Sequence, residues 1–217
     1  MADAAREAGR EAAELTTIVV TKFHPASLVR ELYDLGVRHL GENRQQEASE
    51  KAVQLSDLDL DWHFIGQLQS KKARSVLGFA GTIHSLDRPS LVASIETALG
   101  GDVTASAAPV DAFIQLNLTD DEGRGGVRPA DLPALVEAVA GSSAIALRGL
   151  MAVAPVGEEP RRAFARVREA RELVLAVVPE AGDLSMGMSG DFREAILEGA
   201  THLRIGTAIT GNRPTPG

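Results

Sequence analysis

The chain has 217 residues, no cysteine and a formal net charge of -8. The absence of cysteine excludes disulfides, thiolate metal sites and cysteine nucleophiles. The acidic balance argues against a general nucleic-acid-binding protein, which needs a basic face, but it leaves room for a local anion site. No apolar segment approaches the roughly 20 residues of a membrane span, and the N-terminal segment lacks an apolar signal core. These features predict a single globular, cytoplasmic domain.

Strand-like and helix-like segments alternate along the chain. Short runs of β-branched and apolar residues predict strands over 17–22, 37–41, 62–66, 82–86, 112–118, 146–153, 184–188 and 202–209. Amphipathic stretches predict helices over 27–35, 43–55, 69–79, 91–99, 129–140, 159–177 and 191–198. Helix starts are marked by Pro129, Pro160 and Ser189, and helix ends by Gly36, Gly141 and Gly199.

This alternation implies right-handed crossovers and a parallel sheet. Eight strands predict a closed (β/α)₈ barrel, compact at roughly 27 residues per unit, and a doubly wound open sheet is the alternative. No helical pattern follows the eighth strand, so we expect an N-terminal helix, about residues 2–13, to cover that side. The tail, residues 212–217, contains two prolines and is expected to fray.

In a parallel barrel, reactive side chains lie where strands end and the following loops begin. Among four lysines, only Lys22 ends a predicted strand. Lys71 and Lys72 lie near a helix start, and Lys51 follows Glu47 by four residues, the spacing of a solvated ion pair. A desolvated lysine can attack an aldehyde to form a Schiff base. The alternative for Lys22 is a side chain that extends from the strand end into solvent.

Ser189, Gly206 and Thr207 follow the seventh and eighth predicted strands, where barrels commonly bind phosphate. Ser189 is predicted to cap a helix, which would leave free N–H groups beside it. The alternative is ordinary capping together with a glycine packed in the barrel.

Other polar residues allow two interpretations each. Arg204 lies inside the last strand, so it either donates to a ring nitrogen or carboxylate or forms a structural ion pair. For Arg148 the structural ion pair is favoured. Asn43 is interpreted first as a helix cap and second as a ligand contact. His63 is interpreted as a core histidine with satisfied ring nitrogens.

The sequence has no H-x-H, H-E-x-x-H or G-x-x-x-x-G-K-[ST] motif, which argues against a metal hydrolase and a nucleotide-binding protein.

Seven segments together carry a more specific signal. They are Val19–Lys22, Gly41–Asn43 with Gln46–Glu47, His63–Gly66 with Leu68–Gln69 and Lys72, His84–Arg88, Arg148–Met151, Met186–Ser189 and Arg204–Thr207. In this order they closely resemble the pyridoxal phosphate homeostasis protein family (the YggS/PROSC type). The resemblance runs from about residue 16 to residue 211.

The resemblance implies a TIM-type, fold-type III barrel that binds pyridoxal 5′-phosphate (PLP), like the N-terminal domain of alanine racemase. It implies that Lys22 forms a Schiff base with PLP and that Arg204 faces the pyridine nitrogen. The positions that match phosphate contacts are Ser189, Gly206 and Thr207, and those that match the lining of the cofactor pocket are Asn43, His63, Ser85 and Met151. The chain departs from relatives at His24, Arg124 and Thr210, where lysine, lysine and an aromatic residue are common.

Family members are described as PLP carriers or regulators of vitamin B6 balance. An arginine at the ring nitrogen also argues against catalysis, because it does not easily supply the proton that draws electrons into the ring. The second base of alanine racemase is a tyrosine from an added domain, whereas the one tyrosine here, Tyr33, lies in a predicted helix. We therefore expect a non-catalytic PLP-binding protein, monomeric or homodimeric, with apo PLP-enzymes as recipients. The alternatives are a PLP-dependent amino-acid racemase and a phosphate-binding barrel isomerase.

Overall fold

The computed structural model describes residues 1–100, 108–121 and 123–212. These residues form a closed parallel barrel in which strands pair in chain order and the last strand pairs with the first. The strands are β1 (Thr16–Val20), β2 (His39–Glu42), β3 (Asp61–Phe64), β4 (Thr82–Leu86), β5 (Val110–Gln115), β6 (Ile145–Met151), β7 (Asp183–Ser185) and β8 (His202–Ile205). The predicted (β/α)₈ barrel is confirmed, and the open sheet is wrong.

The helices surround the barrel. They are α1 (Ala2–Glu7), α2 (Ala26–Asp34), α3 (Gln45–Gln54), α4 (Ala73–Leu77), α5 (Pro89–Gly100), α6 (Leu132–Ala140), α7 (Pro160–Leu175), α8 (Phe192–Leu197) and α9 (Thr207–Thr210). Short 3₁₀ turns occupy Ala12–Glu14, Ser70–Lys72 and Pro129–Asp131. Within the described ranges, no helix has the length and apolarity needed to cross a membrane.

The two ends of the chain differ from the sequence-based expectation. The predicted strand over 202–209 ends at Ile205, and α9 follows it. The apolar and β-branched residues of α9 resemble a strand, but Gly206 turns the chain away from the barrel before them. The N-terminal helix ends at Glu7, short of residue 13, and it packs against α8 with Ala4 and Ala5 buried. Of the predicted tail, residues 213–217 lie outside the described residues.

Each strand separates two environments by its alternation of side chains. Leu184 and Leu203 face outward into the apolar core between barrel and helices, where α7 contributes Val167. Their neighbours Ser185 and Arg204 face into the barrel and contact each other there. The inside of the barrel is therefore partly polar, while the layer beneath the helices is apolar.

Candidate functional site

Lys22 lies in a tight turn at the carboxyl end of β1. The His24 N–H donates to the Thr21 carbonyl at 3.0 Å and closes the turn. Phe23 has a φ of 69°, which a bulky side chain rarely adopts. Lys22 is half-buried, and its Nζ lies 6.0 Å from the centroid of the Phe23 ring. Among the described residues, the Lys22 amine has no hydrogen-bond or ion-pair partner, so it is available to a ligand.

Lys51 forms the predicted ion pair, but the prediction that the pair is exposed to solvent is wrong. The contact with Glu47 exists, at 2.8 Å, but Lys51 is buried because α3 turns this side chain toward the sheet. Its Nζ also donates to Glu42 Oε1 at 2.7 Å and to the Thr21 carbonyl at 2.8 Å. Glu42 is fully buried at the end of β2. Burial raises the pKa of the Glu42 carboxyl, and the hydrogen bond from Lys51 opposes that rise.

Arg204 is a buried cation on β8, only 4% exposed. One terminal nitrogen donates to the Ser185 carbonyl at 2.6 Å and to Ser185 Oγ at 2.8 Å, and the other donates to the Ala152 carbonyl at 2.8 Å. Within the described part of the chain it forms no salt bridge, so the structural ion pair is wrong. Burial lowers the pKa of Arg204 to about 10, and the charge of Asp191 opposes this.

A chain of hydrogen bonds runs from Arg204 through the barrel interior. Ser185 Oγ lies 2.8 Å from His84 Nδ1, His84 Nε2 lies 2.9 Å from His63 Nδ1, and His63 Nε2 lies 3.1 Å from His39 Nδ1. His39, at the start of β2, borders a cavity of about 380 Å³ at the amino-terminal end of the barrel. The interpretation of His63 as a satisfied core histidine is confirmed, since both ring nitrogens have partners.

His63 and His84 are held neutral by their surroundings. Burial, reinforced by His39 and then His202, lowers the pKa of His63 to about 3. Burial and then His63 lower the pKa of the His84 ring as well. A guanidinium can only donate, so the Ser185 hydroxyl accepts from Arg204 and is free to donate to His84. One consistent direction of donation then runs from Arg204 to His39.

The predicted phosphate-binding residues lie at the carboxyl end of the barrel. Gly206 and Thr207 follow β8 directly, and Ser189 lies in the loop after β7. The prediction that Ser189 caps the next helix is wrong, because Asp191 precedes α8 and Ser189 Oγ instead accepts from the Ala208 N–H at 3.3 Å. That hydrogen bond joins the loop after β7 to α9. It therefore brings Ser189 close to Thr207.

Asn43 follows β2, and its capping role is also wrong: Arg44 precedes α3, and no side chain caps that end. Asn43 Oδ1 is buried and has no partner among the described residues. Its backbone passes so close to Gly66 that a Cβ at residue 66 would lie 2.1 Å from the Asn43 carbonyl oxygen. The close approach of Asn43 therefore leaves no room for a side chain at residue 66, two positions beyond β3.

The remaining predicted pocket residues lie on two strands. Ser85, in β4, is fully buried, and its hydroxyl has no partner within the described residues. Met151, the last residue of β6, is buried beside Ala152, which accepts from Arg204. Arg148, further back on β6, lies 3.8 Å from Asp183 and 3.9 Å from Asp111, as the structural ion pair predicts.

Sequence reasoning missed Ser185 and the buried roles of His84 and Lys51. The signal for Ser185 was present: polar residues recur at every second position of β7 and β8, in Asp183 and Ser185 and in His202 and Arg204. Such alternation marks one polar face of a strand. In a barrel whose outer face is apolar, that polar face must be the inner one.

The fold defines the class of protein. The sequence matches the family described as alanine racemase, N-terminal domain, over residues 4–214. The crystal structure of alanine racemase from Corynebacterium glutamicum superposes with a TM-score of 0.71 at 15% identity, covering 100% of this chain and 60% of that chain. The barrel is thus a fold-type III barrel, although this likeness shows the fold alone.

More similar proteins define the family. The pyridoxal phosphate homeostasis protein of Pseudomonas aeruginosa is 42% identical over 214 residues, covering 97% of this chain and 90% of that protein. Its Escherichia coli K12 counterpart is 38% identical, with 97% and 91% covered. PipY of Synechococcus elongatus PCC7942, solved with PLP bound, is 36% identical with a TM-score of 0.81, covering 97% and 99%. The chain belongs to the pyridoxal phosphate homeostasis protein family, as its sequence motifs indicate.

Proposed function

We propose that this protein binds PLP covalently at Lys22, takes part in intracellular PLP homeostasis, and has no catalytic turnover of its own. The observation that carries the proposal is a pair of cations on neighbouring strands, the Lys22 amine and the buried Arg204 guanidinium, neither of which has a carboxylate partner among the described residues. β1 and β8 are paired with Ile18 opposite Arg204 and Val19 opposite Ile205, so Lys22 and Thr207 leave the barrel at the same end.

The side chains fit the three polar parts of PLP. PLP supplies an aldehyde that condenses reversibly with a primary amine with loss of water. Lys22 offers that amine. Arg204, which can only donate, suits an unprotonated ring nitrogen as acceptor. Ser189, Gly206 and Thr207 offer hydroxyl and backbone donors for the phosphate at the carboxyl end of the barrel.

The other pocket residues have supporting roles in this proposal. Asn43 and Ser85 each contribute a buried polar atom that has no protein partner in the described residues, and Met151 contributes an apolar wall. His63 acts indirectly in this proposal, because both of its ring nitrogens are hydrogen-bonded to other histidines. It supports Arg204 through His84 and Ser185.

The absence of turnover is supported by the position of Tyr33. Racemisation needs a second base on the opposite face of the substrate. Tyr33 lies near the C-terminal end of α2, which leads to the start of β2 and so to the amino-terminal end of the barrel. Its ring lies under the guanidinium of Arg38, 3.8 Å from ring centroid to carbon. The chain's one tyrosine is thus at the wrong end to act as that base.

The test is the visible spectrum of the purified protein with PLP, before and after borohydride, for wild type, Lys22→Ala and the exposed control Lys71→Ala. We expect a yellow band in wild type and Lys71→Ala that borohydride abolishes, and its loss in Lys22→Ala. Peptide mass spectrometry should then place the reduced adduct on Lys22. A colourless wild-type protein would overturn the assignment and favour a phosphate-binding barrel isomerase.

A second measurement addresses turnover. The loaded protein is incubated with alanine in D₂O, and deuterium at the α-carbon is followed by NMR. We expect no incorporation above free PLP, together with transfer of PLP to an added apo PLP-enzyme. Incorporation that depends on Lys22 would instead establish racemase-like chemistry.

A further inference from the structure

Two side chains from α3 hold the backbone on both sides of Lys22. Lys51 donates to the carbonyl of Thr21, the residue before Lys22, at 2.8 Å. Glu47 Oε1 accepts from the N–H of Phe23, the residue after Lys22, at 2.6 Å. The two peptide groups that flank Lys22 are therefore bound by opposite charges. Lys51 and Glu47 are also bound to each other at 2.8 Å.

The turn needs this support because its backbone is strained. Phe23 has a φ of 69°, in the left-handed region that glycine or asparagine usually occupies in turns. A bulky residue persists there only where the surrounding structure holds it. The hydrogen bond from the Phe23 N–H to Glu47 acts directly on the strained residue.

The α3 side chains are anchored in turn by β2. Glu42, fully buried, accepts from Lys51 at 2.7 Å and from the Thr21 hydroxyl at 2.8 Å through the same oxygen. A hydrogen-bonded buried ion cluster has little freedom to rearrange, because any change leaves a charge unpaired. The turn is thus tied to two neighbouring elements, while the Lys22 side chain takes no part in the cluster.

We propose that Glu47 and Lys51 are positioning residues that hold Lys22 for its reaction with the PLP aldehyde; this rests on the proposed function of Lys22. In that reaction the neutral amine of Lys22 forms a C=N bond to the aldehyde carbon. The carbonyl oxygen leaves as water with the two amine hydrogens, and nothing is oxidised or reduced. Glu47 and Lys51 act only through the backbone of residues 21–23.

The test uses Glu47→Ala, Glu47→Gln and the control Glu50→Ala. Glu47 is partly exposed, so its loss leaves Lys51 paired with Glu42 and the barrel folded. Glu50 is an exposed carboxylate on the same helix that accepts a hydrogen bond from Gln46 and takes no part in the cluster around Lys51. Each variant is mixed with PLP, and the borohydride-fixed adduct on Lys22 is quantified against time. Binding of pyridoxine 5′-phosphate, which has no aldehyde, is measured in parallel, together with the thermal midpoint.

We expect Glu47→Ala to form the adduct about tenfold more slowly, the effect of losing one hydrogen bond to a charged group. Pyridoxine 5′-phosphate binding should be unchanged, because the pocket itself is intact. Glu47→Gln, which retains an acceptor for the Phe23 N–H, should recover most of the rate, and Glu50→Ala should match wild type.

Two outcomes overturn the inference separately from the proposed function. A wild-type rate in Glu47→Ala, or an equal loss of pyridoxine 5′-phosphate binding, would show that Glu47 does not position Lys22. No adduct on Lys22 in the wild-type protein would instead refute the proposed function, on which the inference depends.

Discussion

The guanidinium of Arg204 and the hydroxyl of Ser185 meet at 2.8 Å inside the barrel. This contact joins the charged guanidinium to His84 and, through it, to His63, two histidines that burial holds neutral. The direction of donation is set by Arg204, because a guanidinium has no acceptor. Ser185 can then donate to His84, which fixes the tautomers of His84 and His63 in one arrangement. The proposed ring-nitrogen contact is thus supported from the opposite end of the barrel.

Removing the Ser185 hydroxyl should destabilise the protein. In Ser185→Ala, Arg204 and His84 each lose a buried partner, which costs about 1–3 kcal/mol of the free energy of unfolding. Ser142→Ala is the control, since Ser142 is also buried but, among the described residues, its hydroxyl only accepts a long hydrogen bond, 3.4 Å, from the Ala144 N–H. Urea denaturation measures both. Equal stability of Ser185→Ala and wild type would mean that the hydrogen bonds of Ser185 contribute nothing to the free energy of unfolding.

Acidification should destabilise the barrel through its histidines. The pKa is lowered to about 3 at His63 and to about 4 at His202, mainly by burial, from the ordinary value of 6.5. At pH values between the lowered pKa and 6.5, each of these histidines is protonated in the unfolded chain but not in the folded barrel. The free energy of unfolding is therefore highest above pH 6.5 and decreases as the pH falls toward 4. In His63→Gln the decrease should be shallower, and an unchanged slope from urea titrations at successive pH values would contradict this.

Discrimination between PLP and pyridoxal should depend on the residues after β7 and β8. The double variant Ser189→Ala, Thr207→Val removes two hydroxyls from the proposed phosphate site, and each is a donor to an anion. We expect its affinity for PLP to fall at least about tenfold, because hydrogen bonds to charged groups contribute more than neutral ones. Affinity for pyridoxal, which lacks the phosphate, should not change. Equilibrium titration with both compounds tests this, and an equal loss for both would place the phosphate elsewhere.

Gly66→Ala should disturb the backbone of the loop that follows β3. The new Cβ would lie 2.1 Å from the Asn43 carbonyl oxygen, so the backbone of one loop must move. We expect a loss of about 1–3 kcal/mol in the free energy of unfolding, as for other overpacked sites. Gly81→Ala is the matched control, because a Cβ at residue 81 meets nothing within 4 Å. Chemical denaturation should leave that control within about 0.5 kcal/mol of wild type.

The barrel could be predicted from the chain alone because it depends on local order, and the family could be predicted from seven motifs in sequence. The candidate site residues that this resemblance implies stay a prediction. Alternating strand and helix patterns predict a parallel sheet. Lys22 and Thr207 were singled out by their place at or after strand ends, and Arg204 by its charge inside the last strand. Element boundaries were less accurate: α9 was predicted as strand because its apolar, β-branched residues fit both structures.

Which polar residues act together depends on contacts between distant parts of the chain. The spacing of Glu47 and Lys51 predicts their contact on one helix, but not that β2 places Glu42 against them or that the cluster holds the Lys22 turn. Ser185 and Arg204 are 19 residues apart in sequence and meet because the barrel pairs β7 with β8. His63 and His84 meet across paired strands in the same way. Sequence periodicity determines the face on which a residue lies, whereas barrel closure and register determine its neighbour on that face.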